Sequence, residues 1–436
     1  MRKYLLPLIL ILAACSPASS NLQDESALPS AQALIEPTQD LNALESAPFF
    51  PLALTQQNPS ANRYVPGQID LAAAQVVDIP LDGKPSWVLG IGLDAGRSLW
   101  LAVLNDGRVQ AFEMQDGAVN AVIGFPESIE AGQPPTLAWV DGEIVLLNAL
   151  DSGGNALNHP LLAGDQLLAL DEQGRLWADG DLLAEGFLLD GRILSDGEGR
   201  ILLLSQPSSD YEHGILGDTL ESKTLTLFDL AIGETQFIGE LGPGQVFEAI
   251  MPIWADLDQD GQREILVTAS DSDQGAQLKL YAQSGELLAQ SDPIGQGNRW
   301  RNQAAIAPFG PNGEWEVADV RIPHINGVVE FFSWQGDQLD LQAAISGYTS
   351  HVLGRRNLDM ALAADVNADG QVELLLPSQN LRSLAAIQHQ QDGAAVVWEL
   401  ELGTRLSSNI ASARFADGEL AIGIGLESGV LRVWLP

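Results

Sequence analysis

From about residue 70 onward the sequence repeats one unit: a short apolar strand, an acidic-Gly turn, a second strand, a polar turn and a third strand. The turn recurs as Asp94-Ala95-Gly96, Asp141-Gly142, Glu198-Gly199, Asp260-Gly261, Asn312-Gly313, Asp369-Gly370 and Asp417-Gly418. These seven copies lie roughly 45 to 60 residues apart, close to the period of a propeller blade. Glycine supplies the positive φ such turns need, and Asp or Asn tolerates it next best. Further turns suited to hairpins follow within the units: Asn105-Asp106-Gly107, Gln173-Gly174, Ser284-Gly285, Gln335-Gly336, Asp392-Gly393 and Ser428-Gly429.

The strands between the turns are short apolar runs, as at Leu99 to Leu104, Glu143 to Leu147, Ile201 to Leu204, Ile265 to Val267 and Leu374 to Leu376. No amphipathic helical period stands out, so the body is expected to be all-β. A lone four-stranded sheet cannot bury both faces, whereas sheets set radially in a ring can. The expected fold is therefore a single β-propeller over residues 70–436 with seven blades, six and eight remaining open. The last unit ends at Leu435-Pro436 after about three strands, and Gln75 to Pro80 is expected to supply the missing strand and close the ring.

Upstream of the repeats the composition changes. Arg2 and Lys3 precede an apolar run, Leu5 to Leu12, that is too short to span a bilayer as a helix, and Leu12-Ala13-Ala14-Cys15 follows. This resembles the bacterial lipobox, in which a small residue precedes a cysteine that is lipidated and becomes the new N-terminus. The resemblance implies a signal peptide over residues 1–14 and diacylglycerol plus acyl (palmitate-type) chains on Cys15, a multi-chain anchor that holds stably to a membrane. Ser16 rather than Asp follows the cysteine, which favours the outer membrane if the envelope has one. Residues 15–69, rich in Ser, Ala, Pro, Gln and Asn, read as the lipidated N-terminus and a flexible tether.

Charge excludes one class of partner. Against 58 Asp plus Glu stand 21 Lys plus Arg, for a net charge of -37. That field repels phosphate backbones, so nucleic acid is not an expected ligand. Cys15 is the only cysteine, which removes intrachain disulfides and cysteine-type zinc sites.

The same acidity attracts cations, and two turns concentrate it. Asp256, Asp258, Asp260, Gly261 and Glu264 in the fourth unit, and Asp365, Asn367, Asp369, Gly370 and Glu373 in the sixth, both read D-x-[DN]-x-D-G-x-x-E and run directly into an apolar strand. Oxygens at positions 1, 3 and 5 converge when the chain wraps. Glycine at position 6 permits the sharp turn, the carbonyl at position 7 (Gln262 or Gln371) points inward, and the acid at position 9 closes the shell around a hard cation such as calcium. An EF-hand needs an acid at position 12, where Val267 and Leu376 stand instead. The loops resemble those of FG-GAP or VCBS repeats and of the integrin α propeller head. That resemblance implies two structural calcium ions held between strands of a blade; Glu in place of the usual final Asp departs from the family pattern. The fifth unit keeps Asn312, Gly313 and Glu316 but has Pro308 and Gly310 at positions 1 and 3, and is expected to hold no ion.

Basic residues cluster between the fourth and sixth units, with Trp300 among them: Arg299, Arg301, His324, His351, Arg355 and Arg356. At equivalent places in adjacent blades they would lie side by side near the channel mouth as a patch for a carboxylate, phosphate or acidic glycan. The alternative is pairing with acids such as Glu316, Asp319 or Asp359. No nucleophile elbow or other catalytic spacing is present, so the body is expected to bind a protein or glycan rather than catalyse. Two other readings stay open. Leu168 to Trp177 looks like a pyrroloquinoline-type propeller repeat, a class that includes a lipoprotein of outer-membrane β-barrel assembly, but it occurs clearly once. A polysaccharide hydrolase or lyase would need a carboxylate pair that no spacing picks out.

Overall fold

The computed structural model describes residues 31–32, 35–40, 52–53 and 59–436, apart from 95, 141–142, 212 and 298. No α-helix occurs among the described residues; one short 3-10 turn spans Ala149–Ser152. Among the described residues the strands form seven four-stranded antiparallel units, at residues 85–123, 161–185, 194–238, 253–290, 301–346, 362–401, and 406–435 together with 75–80. A two-stranded hairpin, Thr136–Val140 with Glu143–Leu147, stands between the first and second.

Each apolar cluster lies between neighbouring sheets. Leu203 and Leu168 join sheets two and three, and Trp254 and Leu202 join three and four. Leu266 and Ile306 join four and five, Phe331 and Leu374 five and six, and Leu375 and Ile422 six and seven. Val88 and Trp100 of sheet one pack on Ala411 and Leu431 of sheet seven, so the series returns to its start as a ring: a β-propeller. The hairpin occupies the remaining arc. Leu137 and Ile144 pack on Leu89 of sheet one, and Thr136 Oγ1 donates to the carbonyl of Pro160 at the entry to sheet two.

Closure is tight between sheets seven and one. Gln75–Pro80 pairs antiparallel with Val430–Leu435, as the short last unit predicts. Trp100 is fully buried beside Gly90 and Gly423, where an added Cβ would approach its ring to 2.6 and 2.2 Å. Only hydrogen fits at those two positions.

The acidic-Gly turns do not index seven equal blades. The second of them lies outside the described residues, between the two strands of the hairpin, and the sheet after it carries the reversed order Gly164-Asp165 at its first turn. The stretch read as tether also differs. Tyr64–Gln68 runs parallel to the first strand of sheet six, Ile35–Asp40 pairs with the fourth strand of sheet one, and Ala31–Gln32 and Leu52–Ala53 extend other sheet edges. The body therefore begins well before residue 70.

Residues 59–71 form a strap along the first strands of five successive units. The carbonyl of Pro59 accepts from Ser195 N, Ser60 from Trp254 N, and Arg63 from Ala363 N. Asn62 exchanges two bonds with the backbone of Ile306, and Gln68 N donates to Gly418. A single segment touching every one of these strands places them around a common axis. At that axis Asp359 binds two cations: Arg192 Nη2 at 2.7 Å and Arg63 Nη2 at 3.4 Å, with Asp359 and Arg63 fully buried. Arg63 Nη1 also donates to the carbonyls of Gln303 and Ala304, and burial lowers its pKa to about 10.

Candidate metal loops and the opposite loop face

Antiparallel strands reverse direction at each turn, so loops alternate between the two faces of a ring. First-to-second and third-to-fourth strand loops share one face; second-to-third loops and the links between sheets share the other. The two acidic loops join first to second strands, Ile253–Ala255 to Glu264–Asp271 and Leu362–Asp365 to Glu373–Pro377. They lie on one face, and the basic cluster lies on the other.

The two loops share one hydrogen-bond pattern. Gly261 N and Gly370 N donate to the Oδ2 of Asp256 and Asp365 at 3.0 and 2.9 Å. Asp260 N and Asp369 N donate to Asp258 and Asn367, and Gln262 N and Gln371 N donate to Asp260 and Asp369. At position 9 the Glu carboxylate accepts from position 2: Leu257 N to Glu264 at 2.7 Å, Val366 N to Glu373 at 2.9 Å. At position 4 Gln259 and Ala368 hold φ of 62 and 56. The matched wrap follows from the residues themselves, because every bond closes within nine residues.

Their charge is disposed differently. In the first loop Asp256, Asp258 and Asp260 present oxygens within 4.8 Å of one another. Asp256 Oδ1 is buried with no hydrogen-bond partner among the described residues. Converging carboxylate oxygens with one left over are the donor set of a hard cation. In the second loop amides do part of that work: Asn367 Nδ2 and Gln388 Nε2 both donate to Asp369 Oδ2, and Gln388 also reaches Glu373 Oε1 at 2.8 Å. Burial, aided by the neighbouring aspartates, raises the Glu264 carboxyl to about 7 and that of Glu373 to about 8. The fifth loop folds without such a set: Asn312 donates through its backbone N and Nδ2 to Glu314.

On the opposite face the basic cluster is largely self-satisfied. Arg301 is buried between Asp319 and Glu330, each at 2.8 Å, which is the pairing alternative with Asp319 as one partner. Arg356 pairs with Asp190 at 2.7 Å and with Asp218. Trp300 is buried and donates to the carbonyl of Glu248; His324 stacks on its ring at 5.8 Å and His351 meets its edge at 5.2 Å. Arg299 and Arg355 remain exposed, with His324 partly so. The structure thus leaves two of the four arginines at the surface, not a continuous cationic patch. His213 is paired with Glu248, which Ser270 also contacts, and burial raises the Glu248 pKa.

Burial lowers the pKa of His324 to about 4 and that of His351 to about 3, each with a smaller push from a neighbouring histidine. An unfolded histidine titrates near ~6.5. The native state therefore binds fewer protons, and the stability these rings contribute is present above that value and lost as pH falls through the folded values. His351→Gln is expected to flatten the loss of stability between about pH 6.5 and 4, read as urea midpoints for parent and variant. Buried carboxylates such as Glu248 act in the opposite sense in both proteins and cancel in the difference. Equal acid slopes would mean the ring is not held neutral.

Sequence reasoning did not find the axial Arg63–Asp359–Arg192 group, nor a groove on the acidic-loop face between Trp315 and Trp334. No short spacing links residues so far apart; a lone arginine inside a supposed tether was the single local signal. Cys15 lies outside the described residues. The Leu168 to Trp177 stretch forms the centre of sheet two, where Asp171 accepts from Arg175 Nε at 2.6 Å and from Trp177 Nε1 at 2.8 Å.

No family model matches the chain, and no curated protein matches it. Among solved structures the chain is similar to BBS1N, crystallised in complex with ARL6DN and soaked with mercury, at 12% identity and a TM-score of 0.38, over 86% of this chain and 97% of that one. It is also similar to a europium-containing methanol dehydrogenase, at 10% identity and a TM-score of 0.41, over 88% of this chain and 92% of that one.

Proposed function

We propose that this propeller is an envelope-anchored binding module for a protein or glycan, held to a membrane through lipids on Cys15 and stiffened by calcium on one loop face. The observation that carries the calcium reading is the convergence of Asp256, Asp258 and Asp260 with an unpartnered buried oxygen on Asp256. The Gln262 carbonyl and Glu264 would complete that shell; Asp365, Asn367, Asp369, the Gln371 carbonyl and Glu373 would form the second. An ion there would cross-link the first and second strands of its sheet, and its role would be structural. The lipid anchor rests on the lipobox-like Leu12-Ala13-Ala14-Cys15.

The test has two arms. Metal-stripped protein is titrated with calcium by calorimetry: binding heat is expected in the parent and its tighter component is expected to vanish in Asp256→Asn. In cells, Cys15→Ser is expected to move the protein from the membrane to the soluble fraction and to abolish incorporation of labelled palmitate. Absence of calcium heat removes the first half of the reading; membrane retention of the Cys15 variant removes the second.

A further inference from the structure

The loop of the fifth unit sits between the two acidic loops and has Pro308 and Gly310 at positions 1 and 3, where they carry Asp or Asn. Its position 8 is Trp315, where the other loops carry Arg263 and Val372. Trp315 opens into a groove of about 640 Å³ that runs across the acidic-loop face from Asp258 of sheet four to the turn at Asp392 of sheet six. That volume falls within the ~300–1,000 Å³ of small-molecule sites.

The lining combines two chemistries. Trp315 and Trp334 are half-buried side chains of the fifth sheet. Tyr64 of the axial strap supports Trp315 edge-on at 5.6 Å, and Trp334 Nε1 is tied to the carbonyl of Gly336 at 2.8 Å, so neither indole is loose. Around them stand four glutamines, Gln335, Gln342, Gln390 and Gln391. At the floor Glu316 is buried and bonded to His389 at 2.8 Å. The charged rim is formed by Glu314 and Asp392, with Asp258 of the calcium loop at its edge, and among the described residues no Lys or Arg lines the groove.

We propose that this groove binds a saccharide that carries no acidic groups, an amino sugar being favoured over a plain one. The inference rests on the binding-module reading and deepens it. An indole offers an apolar face to the C–H side of a pyranose ring while its edge stays polar. Primary amides donate and accept from one group, which matches the paired roles of sugar hydroxyls. The carboxylate rim repels uronic or sialic acids and attracts an ammonium, which also gains from the tryptophan faces. Three of the amide nitrogens already donate within the protein, Gln342 to Ser333 and Asp340, Gln390 to Gln388 and Gln391 to Asn312, so a basic peptide would satisfy the rim but bring few hydroxyls to the glutamine oxygens.

The test uses the folded protein in calcium buffer and follows tryptophan fluorescence and calorimetry with four probes: chitosan tetramer, chitotetraose, oligogalacturonate tetramer and tetralysine. Chitosan tetramer and chitotetraose are expected to bind, the former more tightly, and oligogalacturonate is not. Trp334→Ala and Trp315→Ala should each weaken saccharide binding by roughly tenfold. Asp392→Asn should narrow the gap between the two chitin-derived probes. Unchanged calcium-dependent unfolding in these variants shows that the ring is intact, so a failure of this site is distinguishable from a failure of the calcium loops. Trp315→Phe, which keeps the contact with Tyr64, serves if the alanine variant unfolds. No saccharide binding, equal binding of oligogalacturonate, unaltered affinity in both tryptophan variants, or tetralysine binding tighter than either chitin-derived probe overturns the proposal.

Discussion

Asp359→Ala is expected to destabilise the folded protein by about 3–5 kcal/mol, the cost typical of removing one partner from a buried ion pair. Asp359 is fully buried and is the carboxylate between Arg192 and Arg63 at the axis. Its loss leaves two guanidiniums in a site where burial already disfavours the charge on Arg63. The damage extends beyond charge, because Arg63 ties the strap to the carbonyls of Gln303 and Ala304 and accepts from Ala363. Urea denaturation of parent and variant reads the effect directly as a shift in midpoint at similar slope. Arg63→Met tests the same group from the other side: it removes one buried cation and leaves the Asp359–Arg192 pair, so it is expected to cost less than Asp359→Ala. A change in Asp359→Ala below about 1 kcal/mol, the scale of an exposed pair, would show that the axial group carries little of the fold.

Calcium is expected to raise stability by about 2.7 kcal/mol when present at a hundredfold excess over its Kd, since a ligand confined to the folded state must stabilise it. At about 2.1 cal/mol/K per residue of unfolding entropy, that is roughly 3–4 °C in Tm for a body of this size. The two loops are not expected to contribute equally. Asp256→Asn keeps an oxygen for Gly261 N but removes a charge from the converging set, and should abolish most of the response. Asp369→Ala should blunt it less, because Asn367 and Gln388 already supply donors to that carboxylate. Thermal unfolding with calcium and with chelator, for parent and both variants, checks this. A chelator-insensitive parent would make both loops ordinary Asx turns; a response lost only in the Asp369 variant would reverse the ranking of the sites.

Much of this was legible in the residues. The two nine-residue loops wrap as their spacing implies, and the short last unit is completed by Gln75–Pro80. The all-β rhythm is read from strands whose length and turns are local properties. The blade pattern was read less fully, because the signal was the order acid then glycine. Sheet two uses Gly164-Asp165 instead, and the hairpin at 136–147 belongs to a small sheet of three strands, the third being Leu52–Ala53. Residues 59–69 have the Ser, Asn and Pro composition of a linker, yet they are built into the ring. Ser60 and Asn62 are buried there by bonds to first strands roughly 190 and 240 residues away, which no local window senses.

The sequence by itself determined the strand-and-turn alphabet, the two acidic wraps and the sign of the protein's field, since each depends on residues a few positions apart or on composition alone. Tertiary structure decided which face each loop occupies and that Arg301 and Arg356 are spent on internal acids. It also decided that Trp315 and Trp334 share a groove with a turn of the next sheet and that one aspartate holds the axis. Those are relations between distant segments, fixed by how the sheets pack around the ring.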